Sequence, residues 1–216
     1  MKRQILSLSV VFFLGLLFVI HGNGNTEAVV LESGKRYPVD MPNFKMDFYS
    51  WENEVLFFAE ILHKAYDIDI SVAEKYSGWI LEASIYSDNI SPIHLASVIR
   101  TESSFKIDAI SSVGAVGSMQ IRPEYWGEYC GDLYDPRENI ICGAEILDMQ
   151  FENYCSELET KSESWECALA HYNIGRGNLQ RKGWFYAGAK KRYINKNNTF
   201  SAQLVAVSDE YGFMPR

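Results

Sequence analysis

The sequence predicts a mainly α-helical domain in which a small irregular or β element follows a central helix. Apolar residues recur at spacings of three and four in several segments, which is the period of an amphipathic helix. Ser91 followed by Pro92 is a strong helix start, because serine caps a helix and proline suits its first turn. Residues 106–122, in contrast, are short, small and rich in glycine. With 216 residues, 47% of them hydrophobic, the chain can form one compact domain with a full-sized core.

The first 24 residues consist of a short basic start and an apolar run. Residues 5–20 are nearly all apolar, and a helix of that length reaches about 24 Å, less than the ~30 Å core of a bilayer. Small residues follow at Gly22 and Gly24. We therefore expect a cleaved signal peptide in residues 1–24, with a retained inner-membrane anchor as the alternative. Either one implies an exported protein of the periplasm or cell envelope.

The next two segments differ in periodicity. Residues 25–50 lack a clear period and contain two prolines, which indicates an extended arm. Residues 51–90 predict two helices, one starting near Trp51 and the other near Ser71. We expect these helices to pack on the domain formed by residues 91–216, where they complete a groove or dock a partner.

Four further helices are expected in that domain. The first begins at Ser91 and ends near Glu102. The others cover about residues 139–158, 164–173 and 200–211. The irregular element therefore lies directly after the helix that ends at Glu102.

The charge balance limits the kind of partner. The formal net charge is −8, and it becomes more negative if the basic start is removed. This argues against electrostatic binding to nucleic acid or to an anionic membrane surface. A neutral or mildly charged glycan, held by the shape of a groove, is the expected ligand.

The four cysteines indicate two disulfides, since they are even in number and follow an export signal. Three pairings are possible, and we favour the one in which each bond closes a short loop between adjacent elements. Zinc is the alternative, but CxxC and HExxH motifs are absent and the histidines show no ligand arrangement, so no metal is expected. Four free thiols in a reducing compartment are the remaining possibility. The favoured bonds are Cys130–Cys142 and Cys155–Cys167.

Glu102 breaks the pattern of its own helix. It follows Ile99 by three residues and Leu95 by seven, so it shares their apolar face. Burial raises the pKa of a carboxyl group, and the negative end of the helix dipole acts in the same direction. A carboxylic acid that stays protonated near neutral pH can donate a proton to a leaving oxygen. The alternative is that the helix frays and Glu102 points to solvent.

The sequence around Glu102 strengthens the first alternative. Four fragments occur in order: E-S-S-F from Glu102, G-A-V-G-S-M-Q-I from Gly114, N-I-I-C-G from Asn139 and A-H-Y-N-I-G-R-G from Ala170. Together with Tyr193 they resemble the soluble lytic transglycosylase family, and the resemblance covers about residues 88–197. Ile174, Arg176, Ala189 and Ser118 depart from the usual motifs, which affects the details of the groove more than the central acid.

The resemblance implies a lysozyme-like SLT domain of the α+β kind, with helices around a glycan cleft. It implies cleavage of the β-1,4 bond between N-acetylmuramic acid and N-acetylglucosamine in peptidoglycan, without a cofactor. Ordinary retaining glycosidases need a second carboxylate, and the only acid between Glu102 and Gln120 is Asp108. We therefore expect the N-acetyl group of the substrate to assist, with Glu102 as the single acid and base. The product would carry a 1,6-anhydro end.

The resemblance also suggests which side chains bind the glycan. Tyr172 is expected beside Glu102, where its hydroxyl group can orient the acid. Each of these residues has a structural alternative: a turn, a helix cap or a place in the core. The expected substrate-binding residues are Ser111, Met119, Gln120, Tyr172, Asn173 and Tyr193.

Two other functions compete with this interpretation. One is a hydrolytic muramidase that admits water. The other is a non-catalytic peptidoglycan-binding module of an envelope machine, which would have an envelope protein as partner. Such a module is expected to lose Glu102 or Gln120, and both are present.

Overall fold

The structure is a computed structural model that describes residues 48–175, 177–179 and 187–211. The predicted signal peptide and nearly all of the predicted arm lie outside these residues. Within them, no helix has the length and apolar character that crossing a bilayer requires. The helices that build the domain are α1 (Phe48–Tyr66), α2 (Ile70–Ile85), α3 (Pro92–Glu102), α4 (Pro123–Trp126), α5 (Pro136–Tyr154), α6 (Lys161–Ile174) and α7 (Ala187–Tyr211).

Polar caps determine where the central helices start. Ser91 accepts a hydrogen bond from the His94 amide and starts α3 where the sequence predicted. Asp135 caps α5, so that helix begins three residues before the predicted start. Thr160 caps α6 and accepts from the amide of Glu163. The mainly helical fold that was predicted is confirmed.

Helix α7 is much longer than predicted. It begins at Ala187 instead of near Phe200. Its inward face includes Ile194 and Leu204, but the buried residue between them is Asn197. Because a polar side chain occupies a core position, the apolar period is interrupted. The first half of the helix could therefore not be predicted from this period.

One hydrophobic core runs through the described helices, from Phe58 in α1 to Leu204 in α7. Helix α1 packs against α2 and α7, and α2 also contacts α3 and α5. Helix α3 in turn packs against α7, and α6 lies between α5 and α7. The helices of residues 51–90 thus share their core with α3, the helix that ends at Glu102.

The predicted irregular element is a looped segment between α3 and α4. Among the described residues it contains isolated β-bridges only, Ile110 with Val116 and Val116 with Ile121. Gly114 and Gly117 have φ angles of 80° and 75°, which lie in the left-handed region that favours glycine. The segment is therefore held by tight turns and not by a strand pair.

Two disulfides join neighbouring elements, with the connectivity that the sequence analysis favoured. Cys130, in the loop after α4, is bonded to Cys142 in α5, with Cα atoms 5.7 Å apart. Cys155, at the end of α5, is bonded to Cys167 in α6, with Cα atoms 5.8 Å apart. Each closes a short loop, for which a stabilisation of about 3 kcal/mol is typical.

Candidate active site

Glu102 is the last residue of α3, and its side chain is partly exposed. Ile99 and Leu95, on the same side of the helix, are fully buried. After Glu102 the chain reverses through Ser104 and Phe105, whose φ angles of 53° and 62° are left-handed. The carboxyl group therefore stands at the carboxyl end of a buried helix, where a tight turn ends the helix.

Tyr193 supplies the hydroxyl group that contacts this acid. Its Oη donates a hydrogen bond of 2.6 Å to Oε1 of Glu102, although the two residues are 91 positions apart in the chain. Burial and the neighbouring carboxyl group raise the pKa of Tyr193 well above its ordinary value, so the hydroxyl group keeps its proton. It can therefore act as a hydrogen-bond donor to the acid near neutral pH.

Burial raises the pKa of Glu102 to about 7. The hydrogen bond from Tyr193 and the positive charge of Lys196 oppose this rise, because both stabilise the carboxylate. The balance leaves the carboxyl group able to exist in either protonation state near neutral pH. A group with such a pKa can first donate and then accept a proton.

Helix α7 is fixed to the end of α3 by polar contacts. Asn197, which is fully buried, accepts a 2.7 Å hydrogen bond from Ser97 Oγ and donates one of 3.1 Å to Thr101 Oγ1. Lys196 Nζ donates to the carbonyl oxygen of Thr101 at 2.9 Å. Because these contacts surround Glu102 and lie within one turn of Tyr193, they set the position of the hydroxyl group on the acid.

Gln120 lies at the edge of the cleft in a left-handed conformation, with φ 52°. Its Nε2 donates to the carbonyl oxygens of Ala109 and Gly117, at 3.1 and 2.9 Å. These contacts hold the loop closed, and the amide oxygen accepts no hydrogen bond from any of the described residues. The side chain thus supports the loop and still has an acceptor for a ligand.

Ser111 also lines the cleft, and it stabilises a turn. Its Oγ accepts hydrogen bonds from the amides of Ala115 and Val113, at 3.0 and 3.4 Å. Both contacts use the oxygen as an acceptor, so the hydroxyl hydrogen is not needed by the turn. The turn role and a ligand contact are therefore compatible at this residue.

The prediction for Met119 is wrong as regards its side chain. Met119 is fully buried and packs so closely on Gly143 that a Cβ there would lie 2.6 Å from its Cε atom. A thioether in this position fills the core and cannot lie on the face of a sugar ring. Its backbone is nevertheless important, because its amide is bound by the side chain of Asn139 at 2.9 Å.

Asn139 anchors the loop from the first turn of α5. Besides binding Met119, its Nδ2 donates to the carbonyl oxygens of Val116 and Leu133, at 3.1 and 3.0 Å. A Cβ on Gly117 would lie 2.3 Å from the same Nδ2 atom. The buried amide therefore requires glycine at that position, and it fixes the loop that carries Gln120.

The hydroxyl group that contacts Glu102 was expected from Tyr172, and in the structure it comes from Tyr193. Tyr172 lines the cleft, but its hydroxyl group donates to the carbonyl oxygen of Met119 at 2.8 Å. Burial, and after it the nearby charge of Glu102, raise the pKa of Tyr172, yet the hydrogen bond to the acid comes from Tyr193. Asn173, the next residue, is exposed and lines the cleft.

The cleft has a volume of about 730 Å³ and lies between the loop, α5 and the end of α6. Among the described residues that line it, Glu102 is the only carboxyl group. The exposed residues Asp108 and Asp132 do not line it. The aromatic side chains of Tyr125, Trp126 and Tyr154 also line the cleft and offer flat surfaces.

A metal site has no support in the described part of the chain. Cys155, Cys167 and His171 are the group whose ligand atoms lie close together. The two sulfur atoms form a disulfide and offer no thiolate.

Sequence reasoning missed Lys196 and Asn197. A signal was available, since both follow Tyr193 at helical spacing and therefore lie on the same side of α7. The residues around them are polar, so no apolar period marks this part of the helix. The residues that hold the acid in place are therefore harder to find than the acid itself.

A family model and individual relatives of known name both match this chain. The model of the Transglycosylase SLT domain matches residues 80–195, just over half of the chain. Membrane-bound lytic murein transglycosylase C of Salmonella arizonae is 26% identical over 163 residues, with 61% of this chain and 45% of the relative covered. Proteins of the same name from Salmonella paratyphi B and Salmonella typhimurium match equally well.

The chain thus spans less than half the length of the curated relatives it matches. The family match begins within α2, includes α3 with Glu102 and ends two residues after Tyr193. It therefore contains the acid, its hydroxyl partner and the loop between α3 and α4. The chain belongs to the transglycosylase SLT domain family.

Proposed function

We propose that this protein is a peptidoglycan lytic transglycosylase that cleaves the β-1,4 bond between N-acetylmuramic acid and N-acetylglucosamine. The observation that carries the proposal is the single carboxyl group of the described cleft, with a pKa of about 7. A retaining hydrolase of the usual kind requires a second carboxylate about 5 Å from the first. The family supports the same reaction class.

The proposed reaction uses Glu102 twice. The protonated acid donates its proton to the glycosidic oxygen as the bond to the anomeric carbon breaks. The carbonyl oxygen of the substrate's N-acetyl group stabilises that carbon from the other side. Glu102, now a carboxylate that accepts the Tyr193 hydrogen bond, takes the proton of the C6 hydroxyl group. The C6 oxygen then bonds to the anomeric carbon, which gives the 1,6-anhydro end without consuming water.

The proposed setting is the cell envelope. The relatives are named membrane-bound, and peptidoglycan strands would be the partner of this cleft. The cleft is lined mostly by neutral side chains, and this suits a glycan better than a highly charged polymer. We also propose that residues 1–24 are a signal peptide or an inner-membrane anchor. An envelope protein is the further partner that we propose.

The test is the mass of the products released from purified murein. We expect muropeptides that are lighter by one water than those from a hydrolytic muramidase. Hydrated reducing ends would contradict transglycosylation and favour the muramidase. Murein that is bound but never cleaved would favour the non-catalytic binding module instead.

Replacing Tyr193 with phenylalanine is expected to move the pH profile of this reaction. The Tyr193 hydrogen bond lowers the pKa of Glu102, so its loss raises that pKa above about 7. The acid then stays protonated to a higher pH, and the alkaline limb of kcat/KM shifts upward. Tyr134→Phe, which changes an exposed tyrosine, is the control. An alkaline limb that stays in place would contradict this coupling.

A further inference from the structure

Gln150 is a buried amide on the cleft side of α5. It is 7% exposed and belongs to the lining of the cleft. Its Oε1 atom is inaccessible to solvent and accepts no hydrogen bond from the described residues. The proposed reaction does not use it.

An unpaired amide oxygen of this kind destabilises a folded protein, and native structures nearly always pair such groups. Asn139, eleven residues earlier on the same helix, shows the usual arrangement. Its buried amide makes hydrogen bonds to Met119, Val116 and Leu133.

Asn197, the other buried amide, is also paired, through Ser97 and Thr101. Trp165 and Ser208 also bury a polar atom without a partner, but they do not line the cleft. Among the buried amides of the described residues, Gln150 is therefore the one whose oxygen lacks a partner, and a ligand in the cleft can explain this.

The surroundings of Gln150 indicate what that ligand is. Ile146, Gln150 and Tyr154 follow one another at intervals of four on α5, and all three line the cleft. The Tyr154 ring stacks on His171 with centroids 4.9 Å apart, and His171 also lines the cleft. The Gln150 amide lies between an aliphatic and an aromatic side chain. This arrangement suits a neutral ligand group that forms a hydrogen bond on one side and packs an apolar part on the other.

A secondary amide has this character. Its N–H group would donate to the glutamine oxygen, and its methyl or methylene group would pack on the tyrosine ring. The terminal torsion of glutamine is broad, so rotation can present either the oxygen or the NH2 group to the cleft. The amide can thus match either edge of the ligand.

We infer that Gln150 is a substrate-binding residue that pairs its amide with a secondary amide of peptidoglycan. That amide is the N-acetyl group of a sugar or a peptide bond of the stem peptide. The inference rests on the proposed function and adds a specificity-determining residue to it.

The test is the variant Gln150→Met, which keeps the length and volume of the side chain but lacks the amide. It is made on the Glu102→Gln background so that the ligand is not cleaved. Dissociation constants are measured by calorimetry for peptide-free glycan strands and for peptide-bearing strands. Gln203→Met, which changes an exposed glutamine of α7, is the matched control.

We expect about tenfold weaker binding, since one hydrogen bond is lost. We also expect a melting temperature about 3 °C higher, because an unpaired buried group is removed. Weaker binding of both kinds of strand would assign the N-acetyl group, and weaker binding of peptide-bearing strands alone would assign the stem peptide.

Unchanged binding by Gln150→Met, whatever the melting temperature, would overturn the inference and leave the proposed function standing. Failure of the Glu102→Gln parent to bind any strand would instead overturn the proposed function, and the inference with it.

Discussion

Replacing Glu102 with glutamine is expected to reduce murein cleavage by about 10³-fold, which is within the range of general acid–base catalysis. Glutamine has nearly the same shape, and its amide oxygen can still accept the hydrogen bond from Tyr193. It cannot, however, donate a proton to the glycosidic oxygen or accept one from the C6 hydroxyl group. Release of soluble muropeptides from purified murein measures the loss.

The same variant is expected to be more stable than the parent at alkaline pH. Burial raises the pKa of Glu102 from 4.5 to about 7, so the folded state holds this proton more tightly than the unfolded state. Stability therefore decreases as the pH rises from about 4.5 to 7, and glutamine removes that loss. At pH 8 the difference in the free energy of unfolding is on the order of 3 kcal/mol in favour of the variant, and it vanishes at pH 4.

The matched control is Glu60→Gln, which changes an exposed glutamate of α1. It should retain full activity and the stability of the parent at both pH values. If Glu102→Gln kept more than a tenth of the parent's activity, Glu102 would not be the acid. Denaturant curves that coincide at pH 4 and pH 8 would contradict the raised pKa.

Asn139→Leu is expected to lower the free energy of unfolding by about 4 kcal/mol. Leucine has a similar volume but leaves the Met119 amide and the carbonyl oxygens of Val116 and Leu133 without their partner. Each unpaired buried group costs about 1–3 kcal/mol, and partial relaxation lowers the total. Since small domains are stable by only about 5–15 kcal/mol, this variant approaches the limit of folding.

Urea denaturation followed by circular dichroism measures this effect. Asn153→Leu lies on the same helix but changes an exposed asparagine, so its midpoint should stay close to that of the parent. Equal midpoints for the two variants would show that the Asn139 amide does not anchor the loop. Where Asn139→Leu still folds, binding of glycan should also weaken, because the loop that carries Gln120 loses its support.

The buried environment of Glu102 could be predicted because the apolar residues before it recur at helical spacing. Glu102 interrupts the apolar face formed by Leu95 and Ile99, and that single observation indicated burial and a raised pKa. The same reasoning would have identified Gln150, which lies one turn after the buried Ile146. A polar residue on an apolar face is thus the signal that both positions share.

Which tyrosine reaches the acid could not be predicted in this way. Tyr172 occurs within a strong motif, whereas Tyr193 lies in a polar stretch where no helix was expected. The hydrogen bond depends on how α7 packs against α3, and that packing is set by Asn197 in a core position. Long-range packing of this kind leaves little trace in local sequence. The buried position of Met119 is a similar case, since it follows from the space above Gly143.

The hydrogen bond from Tyr193 to Glu102 also makes the position of the acid depend on a helix that lies much later in the chain. The two residues are separated by 91 positions, and helices α4, α5 and α6 lie between them in the chain. A nascent chain that ends before α7 has the acid but neither its hydroxyl partner nor the contacts of Lys196 and Asn197. Such a chain can fold α3 early and still lack a positioned acid. The position of the Glu102 side chain thus depends on α7, the last of the described helices, and is established only when that helix docks on α3.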